Sequence, residues 1–231
     1  MSNGYGFRVE VKGEYACFSR PELKVERVSY DVITPSAARG IMEAVLWKPA
    51  ISYVIDQIDI CAPIRFENIR RNEVNKKITQ TSIATAETSL LNRTLHLDTS
   101  NDRSQRAALV LRDVCYVISG HFVLTDRAGS EDNEAKFSSM LRRRLEKGQC
   151  YHTPYLGTRE FPAKVSLLNP GDEAPKPISE TRSFGIMLYD IEYQNSYELD
   201  GSLAVEAFVP MFFSATMVNG VINLRGVEVL R

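Results

Sequence analysis

Alternation of apolar and polar positions opens the chain: across residues 5–18, YGFRVEVKGEYACF, Phe7, Val9 and Val11 fall on one side and Arg8, Glu10 and Lys12 on the other. That is the pattern of a half-buried strand. The period then changes. Thr34 is a good N-cap, Pro35 fits the first helical position where a missing N–H costs nothing, and Ala37, Ala38, Ile41, Ala44 and Val45 recur at helical spacing until Pro49. ISYVIDQIDI, residues 51–60, is rich in β-branched residues and predicts a second strand. Residues 63–106 break into short polar pieces with weak β character, the pattern of a long insertion or hairpin. Ala107 to Thr125 is a long strand, with a bend or close backbone approach expected at Gly120. Asn133 to Lys147 follows as a helix with Phe137, Met140, Leu141 and Leu145 as its apolar stripe and Gly148 past its end. Glu131 and Asp132 at its start, and Arg142, Arg143, Arg144 and Lys147 at its end, complement the helix dipole.

The remaining strand of this unit is YLGTREFPAKVSLL, and a Pro/Gly-rich stretch, NPGDEAPKP, reads as a linker. Beyond it, SFGIMLYDIEY, SLAVEAFVPMFF and VINLRGVEVL predict three strands of a small antiparallel sheet, with Asn219-Gly220 as a tight turn between the last two. The fold class is therefore α+β: a ferredoxin-like (RRM-like) β-α-β-β-α-β domain over residues 1–170, carrying the insertion at about 63–106, and a small antiparallel β-sheet domain over 179–231.

Net charge is −1, so the molecule as a whole does not advertise a polyanionic partner. Its distribution changes that picture. Arg65, Arg70, Arg71, Lys76, Lys77, Arg93, Arg103, Arg106 and Arg112 outnumber the acids in the same stretch, whereas acids dominate after Gly171. This is compatible with a phosphate-facing half, although from charge alone an exposed loop with ordinary surface charges is the better explanation. Cys17, Cys61, Cys115 and Cys150 are scattered and form no C-x-x-C pair, which points to a reduced, cytoplasmic setting. Cys150 and His152 are too sparse for tetrahedral zinc, and no metal or cofactor is expected. No apolar run is long enough to span a bilayer.

One position breaks the apolar strand 116–124, YVISGHFVL: a histidine follows Ser119 and Gly120. Val114, Tyr116, Ile118, Phe122 and Leu124 share one face, while Cys115, Val117, Ser119, His121 and Thr125 share the other, so the imidazole lies on the less apolar side. A lone strand histidine is more often packed and satisfied than reactive. It is also the side chain best poised to move a proton near neutral pH. Asp56 and Asp59 read most simply as solvent-facing carboxylates rather than metal ligands. The chain has no GxSxG, GxxxxGK[ST], HExxH or strand-following GxGxxG signature. RNA cleavage without a metal needs none of these, because the ribose 2′-OH is the nucleophile and a base has only to deprotonate it; DNA is immune.

Arg20 to Ile51, RPELKVERVSYDVITPSAARGIMEAVLWKPAI, closely resembles the start of the type I-C (Dvulg subtype) CRISPR-associated protein of the fifth numbered Cas family. YLGTREF, Tyr155 to Phe161, is similar to a second stretch of that family. The resemblance implies a member of the repeat-associated RNA-binding superfamily, a precursor-RNA-processing endoribonuclease that is retained with CRISPR repeat RNA and other type I-C subunits, with duplex DNA as a further partner. The family pairs a tyrosine with a neighbouring lysine and histidine. Here Leu46 occupies the tyrosine position before Trp47-Lys48-Pro49, Gly120 precedes the matching His121, and no lysine lies between Lys77 and Lys136. The resemblance then implies His121 as general base or acid, Lys48 as the cation at the phosphorane, and Tyr30 or Tyr53 as a substitute phenol. RNA contacts fall to Arg39, Arg65, Arg70, Arg71, Lys76, Lys77 and Arg159. The alternative is a non-catalytic subunit that holds the guide 5′ handle.

Overall fold

The computed structural model describes residues 6–23, 25–74, 76–88, 100–197 and 203–231; Arg93 and part of the insertion lie outside them. The protein is a mixed α+β structure with a large antiparallel sheet and few helices. The organising element is β5 (Arg103–Leu124), twenty-two residues long. Its second half pairs antiparallel with β1 (Gly6–Ala16) on one side and β3 (Ile51–Ile60) on the other. β6 (Lys164–Leu167) pairs with β1, and the sheet order is β6-β1-β5-β3-β9 with β9 at Val221–Asn223. The first half of β5 pairs instead with β4 (Phe66–Val74) and with the short parallel β2 (Arg27–Val28). At Asp113, φ of 52° marks where the strand passes from one set of partners to the other.

Two helices cover the sheet. α1 (Pro35–Val45) starts where Thr34 accepts a hydrogen bond from the Ala37 N–H at 3.2 Å, and it buries Ala38, Ile41, Met42 and Val45 against β3. A short α2 (Gln80–Thr88) lies in the insertion. α3 (Glu134–Glu146), capped by Asn133, buries Phe137, Leu141 and Leu145 against β5 and β6. Phe7, Val9 and Val11 of β1, Tyr53 and Ile55 of β3, and Tyr116, Ile118 and Phe122 of β5 complete this core. Full burial of each large apolar side chain contributes roughly 1.5–3 kcal/mol, so this layer holds the sheet to the helices.

The carboxy-terminal strands depart from the expected three-stranded sheet. β7 (Arg182–Tyr197) and β8 (Leu203–Met217) pair with each other, but β9 adds to the edge of β3 in the large sheet. Ile222 and Leu224 find the main core there and are buried. Asn219 and Gly220, both at positive φ, form the predicted tight turn.

One irregularity shapes the site. The β3–β5 register slips between Ile55 and Gln57, leaving Asp56 as the extra residue of a bulge opposite Gly120. A Cβ on Gly120 would lie 2.3 Å from the Val54 carbonyl oxygen and 2.8 Å from the Phe7 ring, so only glycine permits this approach. Gly120→Ala is expected to destabilise the fold by more than about 2 kcal/mol, read as a lower denaturation midpoint at unchanged m-value; a neutral effect contradicts the close-approach account.

Candidate functional site

Asp56 follows core-facing Ile55 and so lies on the side of the sheet that carries His121, where the bulge leaves it as an extra residue. The His121 Nδ1 lies 3.0 Å from one Asp56 carboxylate oxygen, and the Arg225 Nε lies 3.3 Å from the other. The carboxylate side chain is 12% exposed and the imidazole 31%, so the acid is enclosed while the ring stays partly open. Burial pushes the Asp56 pKa up, but hydrogen bonds from His121 and Arg225 outweigh it and hold the carboxyl below its ordinary range. An ionised Asp56 accepts only, so in the neutral ring Nδ1 carries the hydrogen and Nε2 keeps the lone pair. A proton acceptor held by a buried carboxylate is the arrangement general base chemistry requires.

Asp56 and Asp59 are both buried, which corrects their reading as solvent-facing groups. Asp59 accepts a hydrogen bond from the Gln57 amide at 2.6 Å and pairs with Arg8 at 3.7 Å. Both carboxylates lie on the His121 side of the sheet and are enclosed there with polar partners, His121 and Arg225 for Asp56, Gln57 and Arg8 for Asp59. Among the described residues, no group of three His, Cys, Asp or Glu side chains is placed to hold a metal ion.

The other expected site residues are dispersed. Lys48 is exposed beyond α1, with its charge acting on Asp132 at the approach to α3. Tyr30 is buried, hydrogen-bonded to the Leu188 backbone, with the Arg20 guanidinium 4.6 Å above its ring. Tyr53 donates its hydroxyl to the Leu46 carbonyl at 2.8 Å and packs edge-on against Phe7 and Phe122. Burial pushes the pKa of both phenols up.

Much of the basic stretch is neutralised locally. Arg71 and Arg27 both pair with Glu160, Arg27 and Arg106 pair with Glu73, and Lys76 pairs with Asp102 at 2.6 Å. These contacts dock the β4–β5 ribbon onto the 155–161 loop. Arg65, Arg70, Lys77 and Arg159 are exposed. Arg39 grips both oxygens of Asp190 at 2.8 Å and also pairs with Glu43, tying α1 to β7. A cavity of about 400 Å³ lies beside that fork, lined in part by Thr34, Ser36, Arg39, Tyr155, Gly157 and Asp190.

Neither Asp56 as the histidine's partner nor Arg225 was legible as a site residue. A signal for Asp56 did exist: the core positions of β3 change phase from Tyr53 and Ile55 to Ile58 and Ile60, as a bulge demands. Arg225 left no comparable mark.

An α+β protein whose central sheet presents a histidine held by a buried carboxylate belongs to a broad class, and sequence comparison narrows it. A family model described as CRISPR-associated protein (Cas_Cas5) matches residues 6–225. The CRISPR pre-crRNA endoribonuclease Cas5d of Mannheimia succiniciproducens is 47% identical over 221 residues, covering 94% of this chain and 93% of that protein. The protein of the same name from Thermus thermophilus is 38% identical over 221 residues, covering 92% and 88%. A crystal structure of a CRISPR-associated protein is similar in fold, with a TM-score of 0.66 at 21% identity, covering 98% of this chain and 96% of that one. A functionally uncharacterized Streptococcus mutans protein has a TM-score of 0.64 at 20% identity, covering 98% and 97%. The chain belongs to the Cas5d family of CRISPR-associated proteins.

The depressed Asp56 pKa carries a pH signature. Its stabilising contribution is fully present above the ordinary aspartate value of about 3.9 and is lost as pH falls through the lower folded-state value. The Tm difference between wild type and Asp56→Asn is therefore expected to shrink as pH falls below about 4. A gap that does not change with pH contradicts the assignment.

Proposed function

We propose that this chain is an endoribonuclease that cuts CRISPR precursor RNA within the repeat and then stays with the guide as a subunit of the type I-C complex. The observation that carries the reading is His121, tied at Nδ1 to Asp56 and partly open to solvent, in a chain 47% and 38% identical to two proteins named as pre-crRNA endoribonucleases. Nε2 of His121 takes the proton of the ribose 2′-OH, and the 2′ oxygen attacks the adjacent phosphorus. The bond to the 5′ oxygen breaks, that oxygen takes a proton from water, and a 2′,3′-cyclic phosphate remains. The imidazolium formed in the first step is stabilised by Asp56. Because the nucleophile belongs to the substrate, the base needs no metal to generate it.

We assign Lys48, whose charge acts on Asp132 at the approach to α3, no direct part in the step at His121, and Tyr30 a packing role, since its hydroxyl is enclosed against Leu188. The ferredoxin-like reading is supported by the strand order β6-β1-β5-β3, with α1 and α3 joining strands that are not neighbours. The division into a larger unit over 1–170 and a smaller one over 179–231 is drawn at the 169–177 linker. For RNA, and for duplex DNA, the exposed Arg65, Arg70, Lys77 and Arg159 are the contacts we assign, while Arg39, Arg71 and Lys76 reach nucleic acid only by giving up carboxylate partners. No helix among the described residues is long and apolar enough to cross a membrane, and we place the protein in the cytoplasm, where its RNA is made.

Leu46 favours a second reading. It is wholly buried at the position where the family carries a phenol, as suits a subunit that holds the 5′ handle without cutting. Purified protein incubated with repeat stem-loop RNA in EDTA separates the two. Cleavage is expected to persist in EDTA, to vanish with a 2′-deoxy sugar at the scissile position, and to fall by roughly 10²–10⁴-fold in His121→Ala. Tight binding without product supports the scaffold. For the exposed ribbon, Arg70→Ala is expected to weaken RNA binding and to reduce the slope of log K against log salt by about one, and an unchanged slope removes Arg70 from the phosphate contacts.

A further inference from the structure

The loop after β9 delivers a cation to the far side of Asp56. The Leu224 N–H donates to the Asp56 backbone carbonyl at 2.9 Å, extending the β3–β9 register by one pair. Leu224 itself is buried, which fixes that contact. The Arg225 N–H donates to the Asn223 side-chain oxygen at 3.0 Å, and the Arg225 guanidinium then reaches the carboxylate oxygen that His121 does not use. The buried acid is thus shared between an imidazole and a guanidinium.

We propose that Arg225 is a positioning residue that keeps His121 unprotonated, and so competent as a base, near neutral pH. The inference rests on the nuclease reading only for its consequence in catalysis; the effect on the ring stands by itself. A carboxylate at hydrogen-bond distance favours the imidazolium and raises a histidine pKa, which empties the base form at neutral pH. A guanidinium on the opposite oxygen offsets that negative charge while leaving the hydrogen bond that orients the ring. Other charged or titratable groups on this side of the sheet include Arg8 of β1, already paired with Asp59 of β3, Glu10 and Lys12 of β1, paired with each other, Cys115 further along β5, and Tyr189 of β7, on which the Asp56 charge acts. The lowered Asp56 pKa agrees with a carboxylate that serves both partners. The carboxy-terminal segment thereby completes a site whose base lies in the central sheet, and the family's lysine is replaced by a cation from elsewhere in the chain.

The test follows the three histidines of the chain by NMR through a pH titration, with the His121 signal identified by its loss in His121→Ala. Arg225→Gln keeps hydrogen-bond donors and drops the charge, whereas Arg225→Lys keeps the charge. The His121 pKa is expected to rise by about one pH unit in Arg225→Gln and to stay at the wild-type value in Arg225→Lys. The rising limb of the cleavage rate against pH is expected to move by the same amount. In Asp56→Asn, adding Arg225→Gln is expected to leave the pKa within a few tenths of the Asp56→Asn value. An unmoved His121 pKa in Arg225→Gln, or a lysine that fails to restore it, overturns the proposal. Wild-type protein that cuts no repeat RNA while the titration shifts as expected sinks the nuclease reading and leaves the role of Arg225 intact.

Discussion

The site depends on one backbone irregularity. Tyr53 and Ile55 before the bulge and Ile58 and Ile60 after it all reach the core only because Asp56 is an extra residue, and that extra residue is left on the polar face beside His121. Gly120 makes the irregularity possible by letting β3 come within a distance that any side chain would forbid. Gly120, immediately before His121, is therefore the residue that lets β3 close against the strand that carries the histidine.

Charge is handled by local pairing more than by a broad field. A net charge of −1 is spread over ion pairs that stitch elements together: Arg39 to Asp190 joins α1 to β7, and Arg71 to Glu160 joins the β4–β5 ribbon to the 155–161 loop. Exposed pairs of this kind contribute about 0–1 kcal/mol each, so their value lies in orientation. They also engage several cations that a phosphate backbone would otherwise meet, Arg39, Arg71 and Lys76 among them. The Asp56 group differs because its carboxylate is enclosed, although Arg225 reaches it from solvent.

Local chemistry explains how much could be read from the chain. Thr34-Pro35 set the start of α1, Asn219-Gly220 set the turn before β9, and a polar triplet in an apolar strand exposed His121, because each of these signals acts over a few residues. The long strand, the helix before Gly148 and the hairpin within the insertion were legible for the same reason. What failed was long-range. β9 left its expected sheet because buried Ile222 and Leu224 find the main core, and the partners of Arg71, Arg39 and His121 are distant in sequence. Asp56 and Asp59 were misread because the partners that enclose them, His121, Arg225 and Arg8, come from other strands and from the carboxy-terminal loop.

The central claim is that a scissile phosphodiester passes over the open edge of His121. A structure of the protein bound to repeat RNA with a 2′-deoxy sugar at the cut site tests it most directly. The account predicts the sugar's C2′ edge facing His121 Nε2, close enough that a hydroxyl restored at C2′ would put its oxygen about 3 Å from that nitrogen, with Asp56 still on Nδ1. RNA that runs across another face, leaving His121 against solvent or protein, contradicts it.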